Sequence, residues 1–183
     1  MAILADKSNN MEIKIKLIHP DAILPARQSD GAIGYDLVVP EDIVIDQRRK
    51  VIPLGFALEL PHNVEAKIEP RSGFSAKGIE GCAVTYVCNG YDENGNLLWE
   101  WRPIGNPRRF DADALTGKID PDYRGEVGAI IRNNDTAYPF MIAKGTRIAQ
   151  MTFYRTETAD FCVTNELTDT QRADGGFGHT GAI

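Results

Sequence analysis

Gly117-Lys118-Ile119-Asp120-Pro121-Asp122-Tyr123-Arg124-Gly125 opens directly into an apolar stretch, Val127 to Ile131. The pattern is strand, turn, strand, and it predicts the tip of a β-hairpin. Ile119 closes one strand, Pro121 fixes φ where a type I turn favours it, and Gly117 and Gly125 punctuate the two ends. A stiff turn of this kind holds the Asp120 carboxylate and the Tyr123 ring at a fixed separation, as a small-molecule site requires. On this stretch alone, a solvated surface turn accounts for every residue.

Upstream, the same short-strand grammar repeats. Glu12 to Leu17 alternates charged and apolar residues, the mark of a half-buried strand. Pro20 and Pro25 break the chain, and Asp36 to Val39 forms the next strand. Ile43 to Ile45, Val51 to Leu54, Phe56 to Leu60 and Val64 to Ile68 follow at close intervals, separated by turn residues. No helical stripe runs through this part, so the fold class is all-β, a sandwich or barrel. Pro70-Arg71-Ser72-Gly73-Phe74-Ser75-Ala76-Lys77-Gly78 reads as one short helix, with Ser72 as its cap and Gly78 as its stop. Arg71 at its start offers a guanidinium fork suited to phosphate.

The segment 81–116 predicts an extra hairpin and a long loop. Val84 to Cys88 and Leu97 to Trp101 are strand-like, and Asn89-Gly90 and Glu93 to Asn96 are turn signals between them. Trp99 and Trp101 lie two apart and share one face, which predicts packing on the body or on a neighbouring subunit. Pro103 to Ala114, carrying Arg108 and Arg109, reads as irregular. Beyond the opening stretch, Val127 to Ile131, Pro139 to Ile142, Arg147 to Tyr154 and Phe161 to Val163 read as strands. Residues 164–183 form a polar, glycine-rich arm. Arg172, Phe177 and the surrounding glycines suit a tail that closes over a nucleotide as a lid. The chain thus divides into a flexible leader (1–10), one β domain (11–163, with its insertion at 81–116) and a mobile arm (164–183).

The totals narrow the function classes. The 183 residues are 43% hydrophobic and 25% charged, enough for a single domain with a substantial core. A net charge of −6 argues against a nucleic-acid binder, which needs a basic face. Three cysteines, Cys82, Cys88 and Cys162, show no paired metal spacing and read as reduced thiols of a cytoplasmic protein. No apolar run reaches the roughly 20 residues of a membrane span. His19, His62 and His179 are far apart in sequence and do not point to a metal cluster.

Five stretches then fall in a recognisable order. Ala32-Ile33-Gly34-Tyr35-Asp36-Leu37, Pro70-Arg71-Ser72-Gly73, the opening stretch, Gly145-Thr146-Arg147-Ile148-Ala149-Gln150, and Arg172 to Gly181 resemble, in sequence, the five motifs of the trimeric dUTP pyrophosphatases (dUTPases). The resemblance spans most of the chain. It implies a jelly-roll or β-barrel-like subunit, a homotrimer with sites at subunit interfaces, and a glycine-rich arm closing each site. The implied reaction is hydrolysis of dUTP to dUMP and pyrophosphate, which limits uracil in DNA, with Mg²⁺ chelated by the triphosphate. The resemblance makes Asp120 the base that deprotonates the attacking water, with Asp36 supporting the site. Tyr123 packs under the deoxyribose and rejects a 2′-hydroxyl. Arg71, Ser72, Gly73 and Gln150 meet the phosphates. Arg172 reaches the γ-phosphate, and Phe177 and Gly178 close over the nucleotide.

Three departures from the family pattern stand out. Segment 81–116 is longer than the usual connection. The position six residues before the aspartate, commonly asparagine, is Ala114 with Asp113 beside it, so base readout is open at this point. His179 stands where serine is more usual. The rivals are dCTP deaminase or a bifunctional deaminase–dUTPase of the same fold, and a dUTPase-like regulator acting through the insertion. A deaminase needs a glutamate on the strand after the turn, and the matching position is Ile130, which moves no protons.

Overall fold

The computed structural model describes residues 11–46, 48–135 and 138–174. The expected leader, residues 1–10, lies outside them. Twelve strands and one short helix make up the described chain. In order they are β1 (Lys14–Leu17), β2 (Tyr35–Val38), β3 (Ile43–Ile45), β4 (Arg49–Glu59), β5 (Val64–Glu69), α1 (Ser72–Lys77), β6 (Ile79–Tyr91), β7 (Leu97–Phe110), β8 (Ala112–Leu115), β9 (Gly117–Ile119), β10 (Glu126–Asn133), β11 (Phe140–Ile142) and β12 (Arg147–Arg155). They form three four-stranded sheets, ordered β1-β4-β10-β8, β3-β11-β6-β7 and β2-β12-β5-β9. One apolar core joins all three: Leu54 from the first, Phe140 and Ile142 from the second, and Ile68 from the third are buried together. The all-β class expected from the strand pattern is what forms. No helix among the described residues is long and apolar enough to cross a membrane.

Period-two burial explains the strands. In β10, Val127, Ala129, Ile131 and Asn133 point inward while their neighbours are more exposed. In β8, Ala112 and Ala114 point inward and Asp113 lies on the opposite face. Ala114 is therefore a core residue. The Asp113 carboxylate instead accepts from Arg132 Nη2 at 2.6 Å and Asn134 Nδ2 at 3.0 Å.

Four local expectations change. The Asp-Pro-Asp turn is present, with the Tyr123 N–H donating to the Asp120 carbonyl at 3.1 Å, but it is not a hairpin tip. Strand β9 pairs with β5, whereas β10 pairs with β4 and β8, so the turn carries the chain from one sheet to another. Turn residues dictate a reversal; which strands pair is decided by distant partners.

Pro103 to Phe110 is strand, not loop. β7 is the edge strand of its sheet, where the missing proline N–H breaks no ladder. Ser72 is the first helical residue rather than the cap, which is Arg71, held without a side-chain cap bond. Phe161 to Val163 is not a strand. Both side chains are almost fully exposed, because the chain leaves the body after Thr156 donates to the Asn63 carbonyl. The expected hairpin forms, and both tryptophans share one face: Tyr86 stacks on Trp99 at 5.4 Å and meets Trp101 at 4.8 Å. Their ring contact is thus within the hairpin itself, and Trp99 stays half exposed rather than packing on the body.

Candidate active site

Strands β2 and β12 pair so that Gln150 stands opposite Asp36. Strand β12 also pairs with β5, placing Gln150 opposite Glu69, immediately before the turn into α1. This register brings three separate sequence stretches to one cleft of about 570 Å³, with Gly34, Asp36, Arg71, Ser72, Gly73 and Gln150 in its lining.

Asp36 is the organising group. It is 8% exposed, and a buried carboxylate requires partners. Arg71 Nε donates to Oδ1 at 2.9 Å and Arg147 Nη1 donates to Oδ2 at 3.1 Å. Arg71 Nη1 also donates to the Arg147 carbonyl at 3.2 Å. The two guanidinium groups are thus locked around one acid. Sequence reasoning identified Asp36 and Arg71 but gave Arg147 no role. An arginine at the head of a strand is unremarkable until the pairing of β12 with β2, which sets Arg147 opposite Val38, brings its guanidinium within reach of Asp36.

Gln150 is similarly constrained. Its Nε2 donates to the Pro70 carbonyl at 3.0 Å, fixing the turn that leads into α1. Its side chain fills the space over Gly34, where an added Cβ would lie 2.4 Å from Oε1. A side chain at 34 would displace the Gln150 amide from this position. Gln150 therefore orders the Arg71-Ser72-Gly73 segment through its side chain. Glu69 also lines the cleft, and its Oε2 accepts from Thr152 Oγ1 at 2.7 Å.

The other half of the expected site lies elsewhere in the chain. Neither Asp120 nor Tyr123 is among the residues lining this cleft. Ile119 pairs with Ala66, so Asp120 leaves β9 beside the start of β5, while Arg71 follows the end of β5. Four residues of strand separate these ends, roughly 13 Å. Asp120 is exposed beyond a buried Ile119. Next to it, Lys118 Nζ bonds Glu65 Oε2 at 2.8 Å, and Lys67 bonds the other Glu65 oxygen at 3.3 Å. The Lys118 hydrogen bond, helped by Lys67, holds Glu65 below its ordinary carboxyl range, and Glu65 in turn raises Lys118. This network pins β9 to β5 and steadies the turn behind it.

Tyr123 is 46% exposed, and its hydroxyl donates to the Glu126 carbonyl at 3.0 Å. The ring lies against Gly125, where a Cβ would meet Tyr123 Oη at 2.3 Å. Arg172 belongs to the exposed segment after β12. Phe177, Gly178 and His179 lie outside the described residues. Among the described residues, no group of three or more His, Cys, Asp or Glu gathers as a metal site.

The family model for dUTPase matches residues 20–95 and 112–181, and the internal stretch between the two matches holds β7. The deoxyuridine 5'-triphosphate nucleotidohydrolase of Paramecium bursaria Chlorella virus 1 is 33% identical over 91% of this chain and 96% of its own length. That of Hydrogenobaculum is 35% identical over 93% of this chain and 99% of its own. Among solved structures, Staphylococcus bacteriophage 80alpha dUTPase with dUPNHPP covers 94% of this chain and 99% of its own, with a TM-score of 0.70 at 22% identity, a likeness of fold. Motif order, fold and sequence identity converge: the chain belongs to the dUTPase family.

Proposed function

We propose that the chain hydrolyses dUTP to dUMP and pyrophosphate, and that it does so in the cytoplasm as a homotrimer whose sites lie between subunits. The observation that carries this reading is the Asp36-braced Arg71 facing a cleft beside Ser72 and Gly73, in a chain whose match to the family spans both halves of the sequence. Phosphoryl chemistry needs positioning and charge neutralisation more than covalent help. A guanidinium held by a buried acid cannot rotate away, so it presents a fixed fork to phosphate oxygens. The cleft volume suits a nucleotide triphosphate.

In this reading Asp120 accepts a proton from the attacking water. The water oxygen bonds to the α-phosphorus, and the bond from that phosphorus to the α–β bridging oxygen breaks, releasing pyrophosphate. Tyr123 supports the deoxyribose, its ring fixed by the Glu126 carbonyl and the bare face of Gly125. Arg172, Phe177 and Gly178 of the arm complete the enclosure.

Mg²⁺ bound to the triphosphate would supply further charge neutralisation. Both Asp36 oxygens are occupied by guanidinium groups, so Asp36 itself is not placed to ligate the ion. The roughly 13 Å between the Asp120 and Arg71 ends of β5 argues for assembly: one nucleotide would draw Asp120 from one chain and Arg71 from another.

The test is a product assay with Mg²⁺ across dUTP, dCTP, dTTP and UTP. Pyrophosphate release is expected from dUTP, with little from the others. Ammonia from any nucleotide would sink the reading in favour of a deaminase.

A further inference from the structure

A second cleft, of about 480 Å³, adjoins the first and shares Arg71 and Gly73 with it. Its lining includes four cations, Arg71, Lys77, Arg109 and Arg147, and one acid, Glu80. Asp36 neutralises part of the Arg71 and Arg147 charge from behind. Four cations against two carboxylates leave the cleft positive, on a chain whose net charge is −6. A local positive cleft in an acidic protein concentrates small anions.

Arg109 is the distinctive member. It lies in the stretch that the family model does not match, near the end of β7, and the fold builds it into place. Gly78 has φ +70°, and a Cβ there would stand 2.2 Å from the Phe110 carbonyl. Only glycine lets β7 run this close to the end of α1. Arg109 then donates from Nη1 to the Gly78 carbonyl at 3.2 Å. That bond holds its guanidinium at the end of α1, whose last turn carries Lys77, another cation lining the cleft. The acid facing the group is Glu80, cross-strand from Arg109.

We propose that this cleft is a polyphosphate subsite that takes inorganic pyrophosphate beyond the nucleotide's own phosphate contacts, with Arg109 and Lys77 as its outer cations. It rests on the dUTP reading only for the source of the pyrophosphate. The geometry gives the leaving group a cationic path from Arg71 outward.

The experiment titrates pyrophosphate into the wild-type chain, Arg109→Glu, Arg109→Lys and Lys77→Gln by calorimetry, with circular dichroism to establish folding. In parallel, pyrophosphate inhibition of dUTP hydrolysis by the wild type is measured. Arg109→Glu is expected to raise the pyrophosphate Kd about tenfold, with Arg109→Lys recovering most of the loss. Wild-type inhibition is expected to be mixed with respect to dUTP. Folded Arg109→Glu and Lys77→Gln chains that bind pyrophosphate as the wild type does would overturn the proposal. So would strictly competitive inhibition, which makes the cleft part of the nucleotide's own phosphate site. If the wild type does not hydrolyse dUTP, the functional reading falls, while the titration still reports on the cleft.

Discussion

Arg71 Nε lies 2.9 Å from Asp36 Oδ1, and that pair fixes how the Arg71 guanidinium is oriented at the cleft. Asp36 is buried and shared with Arg147, so its removal frees two guanidinium groups at once. Asp36→Ala is expected to cost about 1–3 kcal/mol of stability by leaving charged donors unpaired. The KM for dUTP should rise about tenfold as Arg71 loses its orientation. Thermal melting and initial rates check both. Asp36→Asn, which keeps one acceptor, should fall between.

Asp113 gives a pH-dependent test. Its bonds to Asn134 and Arg132 hold its carboxyl below the usual aspartate value. A depressed folded pKa contributes stability that is complete above the unfolded value and is lost as pH falls through the folded one. Wild type and Asp113→Asn should therefore differ in Tm by a constant amount from about pH 5 to 8, and the gap should close below about pH 4. A gap that persists into acid would assign the effect to packing instead. Both bonds fall on the same oxygen, Oδ2, and together they fix the orientation of the Asp113 carboxylate.

Element existence was legible from period-two patterns, as in Val127, Ala129 and Ile131, which bury one face of β10. Pairing was not. The turn at Asp120 to Tyr123 forms as its residues dictate, yet the strands on either side join different sheets, because Ile119 finds Ala66 and Ala129 finds Ile52. The stretch from Pro103 to Ala114 reads as irregular in sequence; only the edge position of β7 makes a strand compatible with its prolines. At the site, Asp36 and Arg71 were legible through motif order. Arg147 was hidden, since its partner is set by the register of β12 on β2. Arg109 was noticed as a charge in the insertion, but its place at the end of α1 depends on the close approach at Gly78.

Gly125 offers a test of the sugar gate that leaves Tyr123 in the chain. A methyl group at 125 would collide with the Tyr123 hydroxyl and push the ring off the Glu126 carbonyl. Gly125→Ala should lower the ratio of kcat/KM for dUTP over UTP by about tenfold or more, mainly by admitting UTP. Equal loss on both nucleotides would mean the ring supports the fold without reading the sugar.

The separation of Asp120 from Arg71 along β5 makes the sharpest prediction. If one chain built a complete site, two inactive variants could never repair each other. If each site takes Asp120 from one subunit and Arg71 from the next, they can. Asp120→Asn alone should lower turnover by about 10²–10⁴-fold while dUTP still binds, and Arg71→Ala alone should weaken binding. In trimers formed from an equal mixture, each site draws its aspartate and its arginine independently. About a quarter of sites then contain both wild-type groups. Co-refolding the two variants should therefore restore about a quarter of wild-type activity, measured as pyrophosphate release, whereas mixing folded trimers without exchange should restore none. Activity that stays at the level of the separate variants after verified subunit exchange would place both groups in one chain's site and require β9 to move toward α1 on binding.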